Sequence, residues 1–222
     1  MFTNREGGYD ADFSLDDEVS LTRNIQKLCQ QTGFVVPHQV IQVHAAEVLY
    51  CSGSGYVHEQ DADILLATEQ GVALAVRTAD CLPILLADKQ AGVIAAVHAG
   101  WKGTVTHVAE KAVAAMCSRG ASLERIVASL GSCIGPCCFE VSPDVAEKLN
   151  HACQHNVSFC RSDTYFTDLA HVNHYQLCHA GVLPTHIEVS SHCTACHIKP
   201  SYYSYRRDKG ALGRQLSMIM LA

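Results

Sequence analysis

Apolar and polar positions alternate along the chain in blocks that predict short buried strands separated by helices. The central stretch, residues 71–104, holds three apolar runs of β type. These runs cover residues 72–76, 84–87 and 92–97. The first two flank the turn TADCLP, and the third ends abruptly in HAGW.

Polar residues interrupt this apolar stretch at the strand ends. Asp80 and Cys81 lie in the turn between the first two runs, and His98 closes the third. Burying such groups without partners is unfavourable, and loops at strand ends often carry chemistry. A functional site is therefore predicted at this point of the chain.

The rest of the chain divides into further helices and strands. Helical spacing and capping residues predict four helices, at residues 20–31, 104–119, 142–153 and 168–179. Other β-type runs cover residues 40–44, 62–66, 125–130, 187–190, 201–205 and 215–221, and residues 46–60 are expected to form a loop or hairpin. Strands interleaved with helices in this way predict a mixed α/β or α+β fold.

Composition narrows the range of partners. The chain has 222 residues, of which 48% are hydrophobic and 17% charged, so it can bury a full core as one domain or as two fused halves. Its net charge of -6 disfavours nucleic acid or an anionic membrane as the main partner. A small molecule is therefore the expected partner.

The compartment determines what twelve cysteines can do. The first residues lack the basic and apolar regions of a signal peptide, and no stretch reaches about 18 apolar residues. We therefore expect a cytoplasmic protein. In a reducing compartment, its cysteines are thiols, small core residues or metal ligands rather than disulfides.

Three candidate metal ligands end short strands: His44, Cys81 and His98. Imidazole and thiolate suit Zn²⁺ or copper, and three protein ligands leave a fourth position for water or substrate. Asp80 is a candidate to orient one of the histidines, or equally to form an Asx turn within its loop.

Two cysteine-rich strings have simpler interpretations. Cys133, Cys137 and Cys138 are assigned to loop packing, because adjacent cysteines do not easily converge on one ion with a third. CTACH at residues 193–197 matches the pattern for covalent haem attachment. Haem is rejected because such attachment is expected outside the cytoplasm.

Five strings occur in an order that resembles the YfiH-like family, also known as laccase-domain or multicopper polyphenol oxidase-like proteins. They are QVH at residues 42–44, TADCLP at 78–83, VHAGW at 97–101, CIGPCCFEV at 133–141 and SYRRD at 204–208. The resemblance implies one catalytic domain over residues 1–222, with an α+β fold layered as an α/β/β/α sandwich of mixed sheets. It also implies a metal held by His44, Cys81 and His98.

The same resemblance implies a purine nucleoside phosphorylase, acting on adenosine, inosine, guanosine and methylthioadenosine with phosphate, that also deaminates adenosine. Zinc is the expected metal and copper the alternative. Arginines bind phosphate well, so Arg206, Arg207 and Arg5 are the expected substrate residues. Two alternatives remain: a copper-dependent polyphenol oxidase, and a hydrolase of peptidoglycan precursors with Cys81 as its nucleophile.

Overall fold

The computed structural model describes residues 1–5, 12–13, 18–199, 201–209 and 213–221. Its helices are α1 Glu18–Thr32, α2 Trp101–Val105, α3 Val108–Cys117, α4 Pro143–Cys153 and α5 Leu169–His179, with a 3₁₀ turn at Pro184–His186. Its strands are β1 Gln39–Ile41, β2 Val48–Tyr50, β3 Val57–Asp61, β4 Ile64–Ala67, β5 Ala73–Thr78, β6 Leu82–Asp88, β7 Val93–Ala99, β8 Val127–Leu130, β9 Glu140–Val141, β10 Ser158–Arg161, β11 Thr164–Thr167, β12 Ile187–Val189 and β13 Gln215–Met220.

The elements form four layers in the order α/β/β/α, as expected. Helices α3, α4 and α5 cover one face of a six-stranded sheet, whose strand order is β12-β8-β6-β7-β4-β2. The other face of that sheet packs on the strand pair β5 and β13. Helix α1 closes the far side, where Leu21, Ile25 and Leu28 meet Leu216 and Met218. The sheets mix parallel and antiparallel pairs, and the fold class is α+β.

The central strands are buried on both faces, which explains their nearly continuous apolar sequence. All seven residues of β7 and all six of β5 are buried. Burying one large apolar side chain contributes roughly 1.5–3 kcal/mol, so these strands hold the layers together. The antiparallel pairing of β6 with β7 sets Pro83 opposite His98 and Leu82 opposite Ala99. This register brings Cys81, just before β6, to the end of β7.

Several predicted elements differ from those observed. The helix expected at residues 104–119 begins earlier and is divided, because His107 adopts a left-handed φ of 60° between α2 and α3. Residues 201–205 form no strand. The segment 46–60 is not a hairpin: β2 pairs with β4, and β3 pairs with β1. The short strands β9, β10 and β11 were not expected.

Other expectations hold at the level of single caps. Asp168 accepts a hydrogen bond from the backbone N–H of His171 at 2.9 Å and so begins α5. Pro143 occupies the first turn of α4. Within the described part of the chain, the helices are too short or too polar to cross a membrane.

Candidate active site

Three side chains of types that can bind a metal converge where β6 begins and β7 ends. One donor atom from each of His44, Cys81 and His98 lies within 4.8 Å of the others. The Sγ atom of Cys81 is 3.7 Å from Nε2 of His44, and the two imidazole rings meet edge to face at 4.7 Å. We call these three residues the His–Cys–His site.

The backbone around this site adopts unusual conformations. His44 has a φ of 62°, and Asp80, the residue before Cys81, has a φ of 84°. Left-handed backbone at a residue other than glycine is uncommon and concentrates at functional positions. Gly100 is required for another reason. A Cβ atom there would lie 2.6 Å from Cδ2 of His44 and 3.1 Å from Sγ of Cys81.

The buried carboxylate of Asp63 holds two parts of the site in place. Nδ1 of His98 lies 2.6 Å from Oδ1 of Asp63, and neither side chain is appreciably exposed. The Asp63 carboxylate also accepts hydrogen bonds from the backbone N–H groups of Val43, His44 and Ala45. It therefore fixes the His44 loop and holds the His98 ring with Nδ1 as the donor, which leaves Nε2 for a ligand.

Electrostatics favour the charged forms of Cys81 and His98. Burial would raise the pKa of the Cys81 thiol, but the imidazoles of His98 and His44 outweigh burial and lower that pKa. Burial likewise opposes protonation of His98, yet Cys81 and Asp63 raise its pKa. Two imidazole nitrogens and a thiolate are donors that zinc and copper both accept, so the donor set fits such an ion.

The carboxylate that orients a histidine of the site is that of Asp63, not that of Asp80. Asp80 contacts neither histidine of the site. Its Oδ1 accepts a hydrogen bond from the Thr194 hydroxyl at 2.6 Å, and its Oδ2 accepts one from the backbone N–H of Arg206 at 2.7 Å. Asp80 thus ties the Cys81 turn to the chain that carries Arg206.

The three predicted substrate arginines lie in different surroundings. Arg206 lines the cavity above the His–Cys–His site. Arg207 turns away, forming an ion pair with Asp208 at 2.7 Å and donating to the Tyr202 carbonyl at 2.6 Å. The guanidinium of Arg5 lies over the ring of Tyr203, 4.8 Å from its centroid. Only Arg206 of the three lies among the cavity-lining residues.

The cavity has a volume of about 640 Å³, a size typical of small-molecule sites. All five strings of the sequence analysis contribute to its wall, together with two arginines that were not expected. The lining residues are Ile41, Gln42, His44, Arg77, Thr78, Ala79, Asp80, Cys81, His98, Trp101, Lys102, Ile134, Phe139, Tyr205, Arg206 and Arg214.

The unexpected arginines give one part of the wall a positive charge. Arg77 is buried and donates to the side chain of Gln39 at 2.9 Å and to the carbonyl of Val40 at 2.7 Å. Burial and the nearby Arg214 lower the pKa of Arg77 to about 10. Arg77, Arg206 and Arg214 form no ion pair with any of the residues that the structure describes.

A second histidine-containing group is better explained by packing. His38, Cys51 and His58 are all buried, and Nδ1 of His38 lies 2.8 Å from Nε2 of His58. Burial lowers the pKa of both histidines and raises the pKa of Cys51 to about 12. The pKa directions favour neutral forms of these three residues, in contrast to Cys81 and His98.

The chain is similar in sequence to a known protein family and to several named proteins. The model for the multi-copper polyphenol oxidoreductase laccase family matches residues 1–222. A protein named purine nucleoside phosphorylase from Deinococcus radiodurans is 37% identical over 99% of this chain and 88% of its own length. A protein from an unknown prokaryote, named adenosine deaminase, is 39% identical over 68% of this chain and 61% of its own length.

The fold agrees with that comparison. The crystal structure of YfiH from Bacillus licheniformis superimposes with a TM-score of 0.89 at 26% identity, covering 100% of this chain and 91% of that one. The layer order, the five ordered strings and the matching relatives all lead to the same group. The chain belongs to the YfiH-like, laccase-domain family.

Proposed function

We propose that this chain is a metal-dependent purine nucleoside phosphorylase that also deaminates adenosine. One observation carries the proposal. Residues of the His–Cys–His site line the same cavity as Arg77, Arg206 and Arg214. Relatives named for phosphorolysis and for deamination supply the substrate class.

The positive part of the cavity suits inorganic phosphate. Guanidinium groups bind phosphate oxygens through paired, charge-assisted hydrogen bonds. The backbone amide of Arg206 is fixed by Asp80, and its guanidinium donates to the carbonyls of Cys138 and Glu140. This bracing holds the side chain at the cavity rim, where it needs little reordering when an anion binds.

The remaining wall suits a purine. The rings of Trp101, Phe139 and Tyr205 line the cavity beside the histidines. Aromatic rings stack on flat heterocycles, and a cavity that combines apolar walls with a few polar groups can orient a nucleoside. Tyr205 adjoins Arg206, so a base and a phosphate would contact neighbouring residues of one loop.

The two reactions make different demands on these residues. In phosphorolysis, a phosphate oxygen bonds to C1′ of the ribose while the bond from C1′ to N9 breaks. The purine leaves with that electron pair and takes up a proton. In deamination, water adds at C6 and ammonia leaves. The arginines would hold the phosphate in the first reaction, and the second requires no phosphate.

His44, Cys81 and His98 would hold the metal. A zinc ion bound there would supply Lewis acidity. The chain's own residues would set the site around it. Asp63 orients His98, and Gly100 leaves room for His44 and Cys81 to approach each other.

The experiment combines metal analysis with product analysis. Protein purified without added metal is incubated with adenosine, with and without phosphate. We expect one zinc at this site, adenine release that requires phosphate, and inosine release that does not. His98→Ala should abolish both products, whereas His155→Ala, which alters an exposed histidine away from the cavity, should abolish neither.

Other outcomes distinguish the alternatives. Copper in place of zinc, together with oxidation of phenols, would favour the oxidase that the family description names. Activity that survives chelation but is blocked by alkylation of Cys81 would favour a thiolate hydrolase. Bound metal without any purine product would retain the site but reject the proposed substrate.

A further inference from the structure

Four cysteine thiols outside the active site meet between two loops. The donor atoms of Cys137, Cys138, Cys193 and Cys196 all lie within 4.8 Å of one another. The first two stand in the turn between β8 and β9, and the other two follow β12. We call these residues the four-cysteine cluster. Cys137 and Cys138 were expected to pack within their loop together with Cys133, which lies outside the cluster.

Local backbone contacts bring the two loops together. Cys133 forms a parallel β-bridge with Cys193, and the N–H of Thr194 donates to the Cys133 carbonyl at 2.9 Å. The N–H of Gly135 donates to Sγ of Cys193 at 3.2 Å. A Cβ atom on Gly135 would lie 3.2 Å from Cβ of Cys193. This glycine permits the close approach of the loops.

Packing of apolar thiols does not explain the cluster. Cys137 and Cys196 are exposed and Cys138 is only partly buried, whereas cysteines that fill a core are buried. All four cysteines are free thiols rather than halves of disulfides. The Sγ atoms of Cys137 and Cys196 are 3.5 Å apart, well beyond the roughly 2.05 Å of a bond between two sulfurs.

A tetrahedral zinc site explains both the number and the spacing of the thiols. With Zn–S distances of about 2.3 Å, the sulfurs of a tetrahedron stand roughly 3.8 Å apart. The sequence C-x-x-C at residues 193–196 is a frequent zinc-binding spacing.

We propose that Cys137, Cys138, Cys193 and Cys196 form a tetrathiolate site for Zn²⁺, separate from the His–Cys–His site. Four thiolates saturate the ion, so this zinc has a structural role. Four thiolates and one Zn²⁺ carry a net double negative charge. Two arginines lie beside them: Arg206 donates to the Cys138 carbonyl, and Arg207 donates to the carbonyl of Thr194.

The proposed zinc would also stabilise the active-site wall. Thr194, between the two cysteines of the C-x-x-C turn, donates its hydroxyl hydrogen bond to Asp80. Asp80 in turn holds the backbone of Arg206, which lines the cavity. The ion therefore fixes the two loops on which Arg206 rests, without touching the substrate.

The test counts zinc in a chain whose active site cannot bind it. The Cys81→Ala protein is purified under reducing conditions with zinc present, and its zinc is measured by mass spectrometry. We expect one equivalent per chain to remain. Adding Cys196→Ser should remove that equivalent, whereas adding Cys160→Ser, which changes an exposed cysteine of β10, should leave it.

Cobalt gives a second measurement on the same proteins. Co²⁺ bound to four thiolates shows intense sulfur-to-metal charge-transfer absorption, which should appear in Cys81→Ala and weaken on addition of Cys196→Ser. If the Cys196→Ser chain fails to fold, the cobalt spectrum of Cys81→Ala alone decides. A Cys81→Ala chain that holds no metal would overturn the proposal. So would a disulfide between Cys137 and Cys196 in a chain whose zinc content does not depend on Cys196.

Discussion

Two regions of the molecule gather thiols, and they are built in opposite ways. In the His–Cys–His site, Cys81 and His98 stand at the ends of core strands, and the buried carboxylate of Asp63 holds one ring. In the four-cysteine cluster, three thiols stand on turns and Cys193 forms an isolated β-bridge, and the supporting contact to Cys193 comes from a backbone N–H. A catalytic metal site has three protein ligands and an open fourth position, whereas a structural site has four protein ligands. The presence of cysteine does not by itself distinguish the two kinds of site.

The largest difference between the two regions should appear in activity. Cys81→Ser removes one of three ligands, so we expect turnover to fall by at least about 100-fold, since losing even a supporting partner costs roughly 10–100-fold. Cys196→Ser should cost less than about tenfold, because its thiol is not a lining residue of the cavity. Steady-state assays with adenosine and phosphate measure both. Equal losses in the two variants would contradict this division of roles.

The next effect concerns the support of the His–Cys–His site. Asp63→Asn keeps the shape of the side chain but replaces one acceptor oxygen with an NH₂ group. That group would face N–H donors of His44, Ala45 and His98, to which it cannot donate. We expect metal affinity at this site to fall by about 10–100-fold. Competition with a chromophoric chelator measures the affinity. Asp61→Asn, an exposed position on β3, is the matched control and should bind as the wild type does.

The two neighbouring arginines sharpen the comparison further. Arg206→Lys should raise the KM for phosphate about tenfold with a smaller change in kcat, because lysine loses the paired donors that guanidinium offers. Arg207→Lys loses the two-point pairing of the guanidinium with Asp208 and its contacts to loop carbonyls, so it should lower the melting temperature and leave the phosphate KM unchanged. A raised phosphate KM in Arg207→Lys alone would reverse the assignment.

The smallest expected effect concerns Asp88, which lies outside both regions and contributes to the stability of the fold. Burial would raise the pKa of Asp88, but Arg125 and the N–H groups of Ser122 and Ala91 outweigh burial and lower it to about 2. Because the folded-state pKa lies below the usual value of about 3.9, this stabilisation is complete above pH ~4 and is lost as the pH falls towards 2.

Asp88→Asn should therefore flatten the acid side of the stability curve and cost roughly 1–3 kcal/mol near neutral pH. Thermal melting across this pH range measures both effects. Activity at neutral pH and moderate temperature should persist, because Asp88 contacts neither metal region. An unchanged acid limb in Asp88→Asn would contradict the assignment.

The sheet core was predictable from the sequence because burial on both faces leaves an unbroken apolar signal. Strands β5, β6 and β7 fall where the runs predicted them, with their ends displaced by one or two residues. The helix break at His107 was not predictable, because it depends on one left-handed residue within an otherwise helical pattern. Residues 201–205 have a strand-like composition but serve loop contacts instead.

The site was partly predictable, for a related reason. Cys81 and His98 are unusual residues at strand ends. The strand expected to reach His44 stops at Ile41, so His44 lies in the following loop, and Asp63 precedes β4 as an ordinary aspartate would. Its one signal was a carboxylate placed directly before four buried apolar residues. Arg77 and Arg214 reach the cavity only because β5 and β13 pair, a contact between distant segments. The partners of Cys137 and Cys138 were likewise hidden by distance along the chain.

The pairing of β5 with β13 also bears on how the chain is made. Gln215 pairs with Thr78, so β5 must wait for most of the polypeptide to leave the ribosome before its strand neighbour exists. Such distant contacts slow folding and leave apolar strands uncovered in the meantime. A chain whose synthesis stalls before residue 215 would expose the apolar surface of β5 and become a substrate for chaperones or aggregation.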